Sequence, residues 1–244
     1  MHLQNIFIAT LVLCLSLVSG CATMQPTRFV SNVDSLAQTD ASAKKRYVLL
    51  PGGKGVEAGD LQFQEFATYV EKVLTEKGFA KASAFQDADV ALFLTYAIGD
   101  PQTYQYSYSL PTWGQTGVSS ANTYGTVSSY GGMATYSGTT TYTPTYGVTG
   151  STTHIGTNTV FTRFLFLDAY DVATYLKEKK MNQVWKTNVV STGSSGDLRL
   201  VVPYMVAAMK PYLGTNTGRK IEVEVAADDP SVQLLRGGQP PAIK

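Results

Sequence analysis

Apolar residues recur along this chain in two patterns, wide helical spacings and short dense runs. Phe63, Phe66, Val70, Val73 and Leu74 return at three and four residues, which marks one buried face of a helix. Asp60 precedes them as a candidate N-cap. Lys77-Gly78 closes the pattern with a cation and then a glycine free to turn left-handed. Leu198, Val202, Met205, Val206, Met209 and Leu213 trace a second helix ended by Gly214. Pro203 inside it predicts a kink, or a start at that proline.

The dense runs predict strands. Arg46–Leu50 is one, stopped by Pro51-Gly52-Gly53. Val90 to Tyr96 and Val160 to Leu167 are too short for typical helices and read as central strands buried on both faces. Gln183 to Val190 is another, and the short charged link Lys177 to Lys180 makes it an antiparallel neighbour of the run before it. Ile221, Val223 and Val225 alternate with Glu222 and Glu224, a half-buried edge strand. The order β-α-β, insertion, β-β-α-β predicts an α+β domain over 46–225. Its sheet is mostly antiparallel, two helices cover one face, and the insertion at 101–160 is extended β.

The N-terminus carries an address. Ile6 to Val18 is apolar but shorter than the roughly 20 residues of a spanning helix, and fits a signal-peptide core. Val18-Ser19-Gly20-Cys21 resembles the bacterial lipobox. That resemblance implies cleavage after residue 20 and acylation of Cys21. Met1–Asn5 has no Lys or Arg, which keeps an ordinary secretory signal as the alternative. Ala22 stands where inner-membrane lipoproteins often carry Asp, so the resemblance implies the periplasmic face of an outer membrane. Residues 21–45 then read as lipidated cysteine plus flexible tether, and 226–244 as a disordered tail.

Strand Arg46–Leu50, the helix end Val73-Leu74-Thr75-Glu76-Lys77-Gly78-Phe79, the strand start Ala88-Asp89-Val90 and the pair Val184-Trp185 after Asp168 together resemble bacterial lipoproteins of domain-of-unknown-function family 4136. The likeness spans roughly 46–213 outside the insertion. It implies fold and location, and no activity, because that family has no agreed catalytic residues.

The insertion changes the picture most. No Asp, Glu, Lys or Arg occurs from Pro101 to Thr162, and eight of the chain's 15 tyrosines lie there. They are Tyr104, Tyr106, Tyr108, Tyr124, Tyr130, Tyr136, Tyr142 and Tyr146, all even-numbered. In extended chain, equal parity means a shared face, provided turns preserve it. Tyr124, Tyr130, Tyr136 and Tyr142 also repeat every six residues. Three readings follow: hairpins extending the domain's own sheet with tyrosines on the core side, low-complexity disorder, or a partner- or self-binding surface. The third makes the eight tyrosines candidate partner-binding residues. A membrane-spanning barrel is disfavoured, since Leu110, Val118, Val127, Val148 and Ile155 are too few branched aliphatics to coat a hydrocarbon band.

Composition excludes several classes. The formal net charge of +1 and the short clusters Lys44-Lys45-Arg46 and Lys177 to Lys180 give no nucleic-acid footprint. Pro51-Gly52-Gly53-Lys54-Gly55 lacks the spacing and the hydroxyl residue of a phosphate loop. His154 has no second ligand nearby in sequence, so no metal site is expected. Gly193-Ser194-Ser195-Gly196 is not a nucleophile elbow. Asp87/Asp89 and Asp168/Asp171 read as turn residues, and catalysis would require Asp168, Asp171 and His154 to converge. The expectation is a lipid-anchored, non-catalytic interaction module with no cofactor beyond the lipid on Cys21. Its partners would be the membrane and either an envelope protein or a second copy.

Overall fold

The computed structural model describes residues 27–238. Residues 1–26, with the expected signal peptide and the expected lipidation site Cys21, and the last six positions of the expected tail lie outside the described residues. The chain divides into two units, Pro101–Val160 and the segments flanking it.

In the flanking unit the strands are β1 (Arg28–Ala37), β2 (Arg46–Pro51), β3 (Ala80–Lys81), β4 (Val90–Ile98), the end of β6 (Met133–Asp171), β7 (Gln183–Gly193) and β8 (Ile221–Ala226). β5 (Gln102–Tyr130) belongs to the other unit. The helices are α1 (Leu61–Glu76), α2 (Val172–Glu178), α3 (Leu198–Met209) and α4 (Pro230–Leu235). The sheet order is β3-β2-β4-β6-β7-β1-β8, parallel where β2 meets β3 and β4 and antiparallel elsewhere.

Local chemistry sets α1. The Asp60 carboxylate accepts from the Gln62 and Phe63 amides, at 2.8 and 3.2 Å. At the other end Gly78 takes φ +77°. The Phe79 amide reaches back to Leu74 O and the Gly78 amide to Thr75 O, which completes a Schellman stop. Phe66, Val70 and Leu74 from α1 meet Val202, Met205 and Met209 from α3 in one core with Leu92, Leu165 and Trp185 of the sheet. Each such burial contributes about 1.5–3 kcal/mol. On the opposite sheet face a small cluster of Ala88, Ala91 and Val172 packs with Val48, Leu50 and Phe93. Pro203 lies inside α3, which runs from its Asp197 cap to Met209 instead of beginning at the proline.

Three segments differ from the sequence reading. Val172–Glu178, expected only as a link between strands, forms α2, and its Val172 packs with Ala88 and Ala91 on the opposite sheet face, so the helices do not all cover one face. Residues 28–37, expected to be tether, form β1 between β7 and β8. Their inward positions are Ser31, Val33 and Ser35, so apolar alternation is hidden by hydroxyls. Ser35 is satisfied by the fold, its Oγ 2.8 Å from Thr187 Oγ1 and 2.9 Å from Tyr212 O, whereas Ser31 Oγ is buried without a hydrogen-bond partner. Residues 230–235, expected to be disordered tail, form α4 with Val232 and Leu235 buried. Asp229 caps it, Lys72 Nζ donates to Leu235 O at 2.7 Å, and Arg236 Nη2 donates to Leu200 O at 2.6 Å. A six-residue helix gives too few periodic positions to register in a sequence.

Candidate interaction surface

The unit Pro101–Val160 is a two-stranded antiparallel ribbon of β5 and the first part of β6, paired from Gln102↔Val160 to Tyr130↔Met133. β5 has 29 residues, about 95 Å at about 3.3 Å per residue. Gly131 and Gly132 turn the chain with φ +61° and +86°, the doubly positive φ that a type I′ two-residue hairpin turn requires. Along this unit neither outer edge has a strand beside it among the described residues.

The register decides which tyrosines share a face. Tyr104, Tyr106 and Tyr108 stand opposite Asn158, Gly156 and His154, so one face of the root carries all three rings. Tyr108 stacks on His154 at 5.6 Å and lies 6.0 Å from Tyr106. The register then shifts between Thr112/Trp113, Gln115/Gly117 and Val118/Ser120. Across each shift the unbulged strand keeps its alternation, so it can be followed. Trp113 and Gln115, odd-numbered on β5, fall on the opposite face together with their partners Val148 and Tyr146. From there β6 runs without an extra residue to Met133, which keeps Tyr146, Pro144, Tyr142 and Tyr136 on that second face. Val118 and Val127 join them as partners of Pro144 and Tyr136. Tyr124 and Tyr130 pair with Thr139 and Met133 and return to the first face.

The eight tyrosines therefore do not share one side. A two-residue turn joins Tyr130 to Met133, so even positions of one strand meet odd positions of the other, and the bulges compound the change. Glycine placement agrees with this assignment. A Cβ on Gly125 would lie 2.5 Å from the Tyr136 ring, one on Gly138 2.8 Å from it, and one on Gly156 2.5 Å from the Tyr106 ring. Each ring lies flat over a backbone that has no side chain to displace it, a recognised way to stabilise strand glycine. Threonine and serine hydroxyls pair across the strands between, as at Thr123–Thr140 (2.8 Å) and Ser120–Thr143 (3.1 Å).

All eight tyrosines are exposed, from 44% at Tyr108 to 94% at Tyr130, so none packs into a core. Trp113, Val118, Val127, Met133, Val148, Leu110 and Ile155 are exposed beside them. Nothing in the sequence singles out Trp113, and Val118 and Val148 stand there only as sparse aliphatics. Their shared face depends on the bulges, and no residue type in the sequence marks those.

The flanking unit accounts for its own acidic residues. Asp171 caps α2 through the Thr174 amide at 2.6 Å and is ion-paired with Lys44. Burial pushes its carboxyl up, but the Lys44 ammonium and the Thr174 amide outweigh that and hold it below the usual range. Asp89 is held down in the same way, against burial, by the Arg46 guanidinium and the Arg46 and Lys45 amides. Burial raises Asp168, which accepts from Gln183 Nε2 at 2.9 Å. Arg163 is 3% exposed, donates to Ser195 O and Ser191 Oγ, and is lowered by burial. Among the described residues no cluster of three or more His, Cys, Asp or Glu could hold a metal. No described helix is long and apolar enough to cross a membrane.

The flanking unit also has shallow concavities among its described residues. A groove of about 480 Å³ lies between α1 and α4, bordered by Glu71, Lys72, Glu76, Lys81 and Leu235. A smaller hollow of about 230 Å³ beside α2 is lined by Phe85, Phe93, Tyr170, Tyr175 and Met181. In the first, Lys81 is paired with Glu71 and Lys72 donates to Leu235 O, so its cations are engaged within the fold; the second is lined mainly by apolar and aromatic side chains.

No family model and no curated protein matches the chain. Among solved structures, a PDZ domain protein from Parabacteroides distasonis matches at 12% identity with a TM-score of 0.38, over 85% of this chain and 41% of that one. The chain thus spans less than half of that protein, and a likeness of this size carries no argument about function.

Proposed function

We propose that this chain is a non-catalytic interaction module of the bacterial envelope, anchored by lipid on Cys21, whose ribbon is its contact surface. One observation carries the reading. A charge-free ribbon holds Tyr104, Tyr106, Tyr108, Tyr124, Tyr130, Tyr136, Tyr142 and Tyr146 in solvent instead of in a core. Tyrosine provides large contact area at low entropic cost, and strand edges without charge lack the usual barrier to strand addition. The address rests on Val18-Ser19-Gly20-Cys21 and on the resemblance to family 4136 lipoproteins; placement on the periplasmic face of the outer membrane follows from Ala22.

The test compares wild type, Cys21→Ser and the triple variant Tyr104→Ser/Tyr106→Ser/Tyr108→Ser in membrane fractions and in capture of envelope proteins by the purified chain. Cys21→Ser should leave the membrane fraction. The triple variant should stay there, lose capture at least tenfold and unfold within about 1 °C of wild type, because the three rings support no core. Unchanged capture, or a large fall in the thermal midpoint, would assign the rings a packing role and contradict the reading.

A further inference from the structure

The ribbon has an energetic problem that its own unit does not solve. A two-stranded hairpin in water is marginal, and independent stability takes three or more strands or a packed cover. Ordering each residue costs about 1–2 kcal/mol of backbone entropy, and here the large apolar side chains stay exposed. In an antiparallel pair alternate residues direct both N–H and C=O outward. Each edge of this ribbon therefore offers about fourteen residues' worth of unpaired backbone. One proline on each strand, Pro111 and Pro144, removes a single donor. No lysine, arginine, aspartate or glutamate blocks either edge between Pro101 and Thr162.

We infer that the contact partner of the ribbon is a second copy of this chain, added edge to edge, the free side of β5 in one copy pairing with the free side of β6 in the next. This deepens the reading of the ribbon as a contact surface and rests on it. Three features favour a copy over a different protein. The ribbon has no charge with which to select a dissimilar partner. Its Thr and Ser positions already pair across strands at Thr103–Thr159, Thr123–Thr140 and Ser120–Thr143, and a copy offers the same hydroxyls on its outer side. Trp113, Tyr136, Tyr142 and Tyr146 are 59–70% exposed on one face. Edge pairing continues that face from copy to copy and sets each aromatic row beside its equivalent as cross-strand neighbours.

Sedimentation velocity of the full chain, extracted in a mild detergent and run across a wide concentration range, tests the inference. Ser107→Lys/Ser128→Lys puts two charges on β5 at exposed positions that bear on no core. Tyr136→Lys/Tyr142→Lys charges the aromatic face instead. The near-ultraviolet circular dichroism of Trp185 and its neighbours reports that the flanking unit remains folded. The wild type should associate with concentration, and each variant should move the half-association point at least tenfold higher. A single monomer mass at all concentrations, or association that neither variant weakens, overturns the inference. If the chain is monomeric yet Tyr104→Ser/Tyr106→Ser/Tyr108→Ser still abolishes capture, the partner is another protein and the contact-surface reading survives. If capture is also unchanged, both fall.

Discussion

Asp171 shows how single residues hold the flanking unit together. It is nearly buried, and its charge is compensated by Lys44 and by the amide at the start of α2. Removing one member of a buried pair strands the other, whereas the pair itself adds little net stability. Lys44 is partly solvated, which reduces the effect. Lys44→Ala should therefore cost about 1–3 kcal/mol in urea denaturation at neutral pH. The pH dependence has a definite sign. Asp171 and Asp89 both sit below the ordinary carboxylate value when folded. Their stabilisation is complete above the unfolded value, near about pH 4, and is lost as pH falls through the folded values. Asp168 is raised, so acidification relieves its cost and opposes the trend. Wild type should lose stability below about pH 4, and Lys44→Ala should flatten that limb. An unchanged acid limb in the variant would show that Lys44 does not hold Asp171 down.

Among the elements, α4 makes the clearest prediction. Leu235 is 4% exposed and packs in the same core as α1 and α3. Leu235→Ala should cost about 2–5 kcal/mol in chemical denaturation, which a disordered tail would not. How legible each element was in the sequence follows from how strong its local signals are. Capping chemistry brackets α1 at Asp60 and Gly78, and apolar spacing fills it, so pattern and structure describe the same segment. A mixed sheet-and-helix fold was legible from such runs. β1 was not, because serines occupy two of its inward positions, and Ser35 finds its partners only in β7 and in the chain near Tyr212. α4 was too short to show a period. In the ribbon, Tyr and Thr spaced at even intervals marked extended chain, but facing depends on turn length and on three bulges. Parity placed eight tyrosines together; pairing separates Tyr136, Tyr142 and Tyr146 from the rest.

At the scale of the whole molecule, charge is divided as sharply as structure. All 19 Lys and Arg and all 18 Asp and Glu lie outside Pro101–Thr162. The flanking unit has a core of two main helices on a sheet, with most of its ion pairs at the surface. The ribbon has neither a core nor charge, and it presents rings on both faces and bare backbone along both edges. Segments of that kind persist where something else completes them. Amide hydrogen exchange along Gln102–Tyr130 and Met133–Val160 tests this most directly, with the chain followed first in its native membrane and then purified and dilute. The account predicts that the outward-facing amides are protected in the membrane and become fast on dilution. Equally fast exchange of those amides in both states would contradict it.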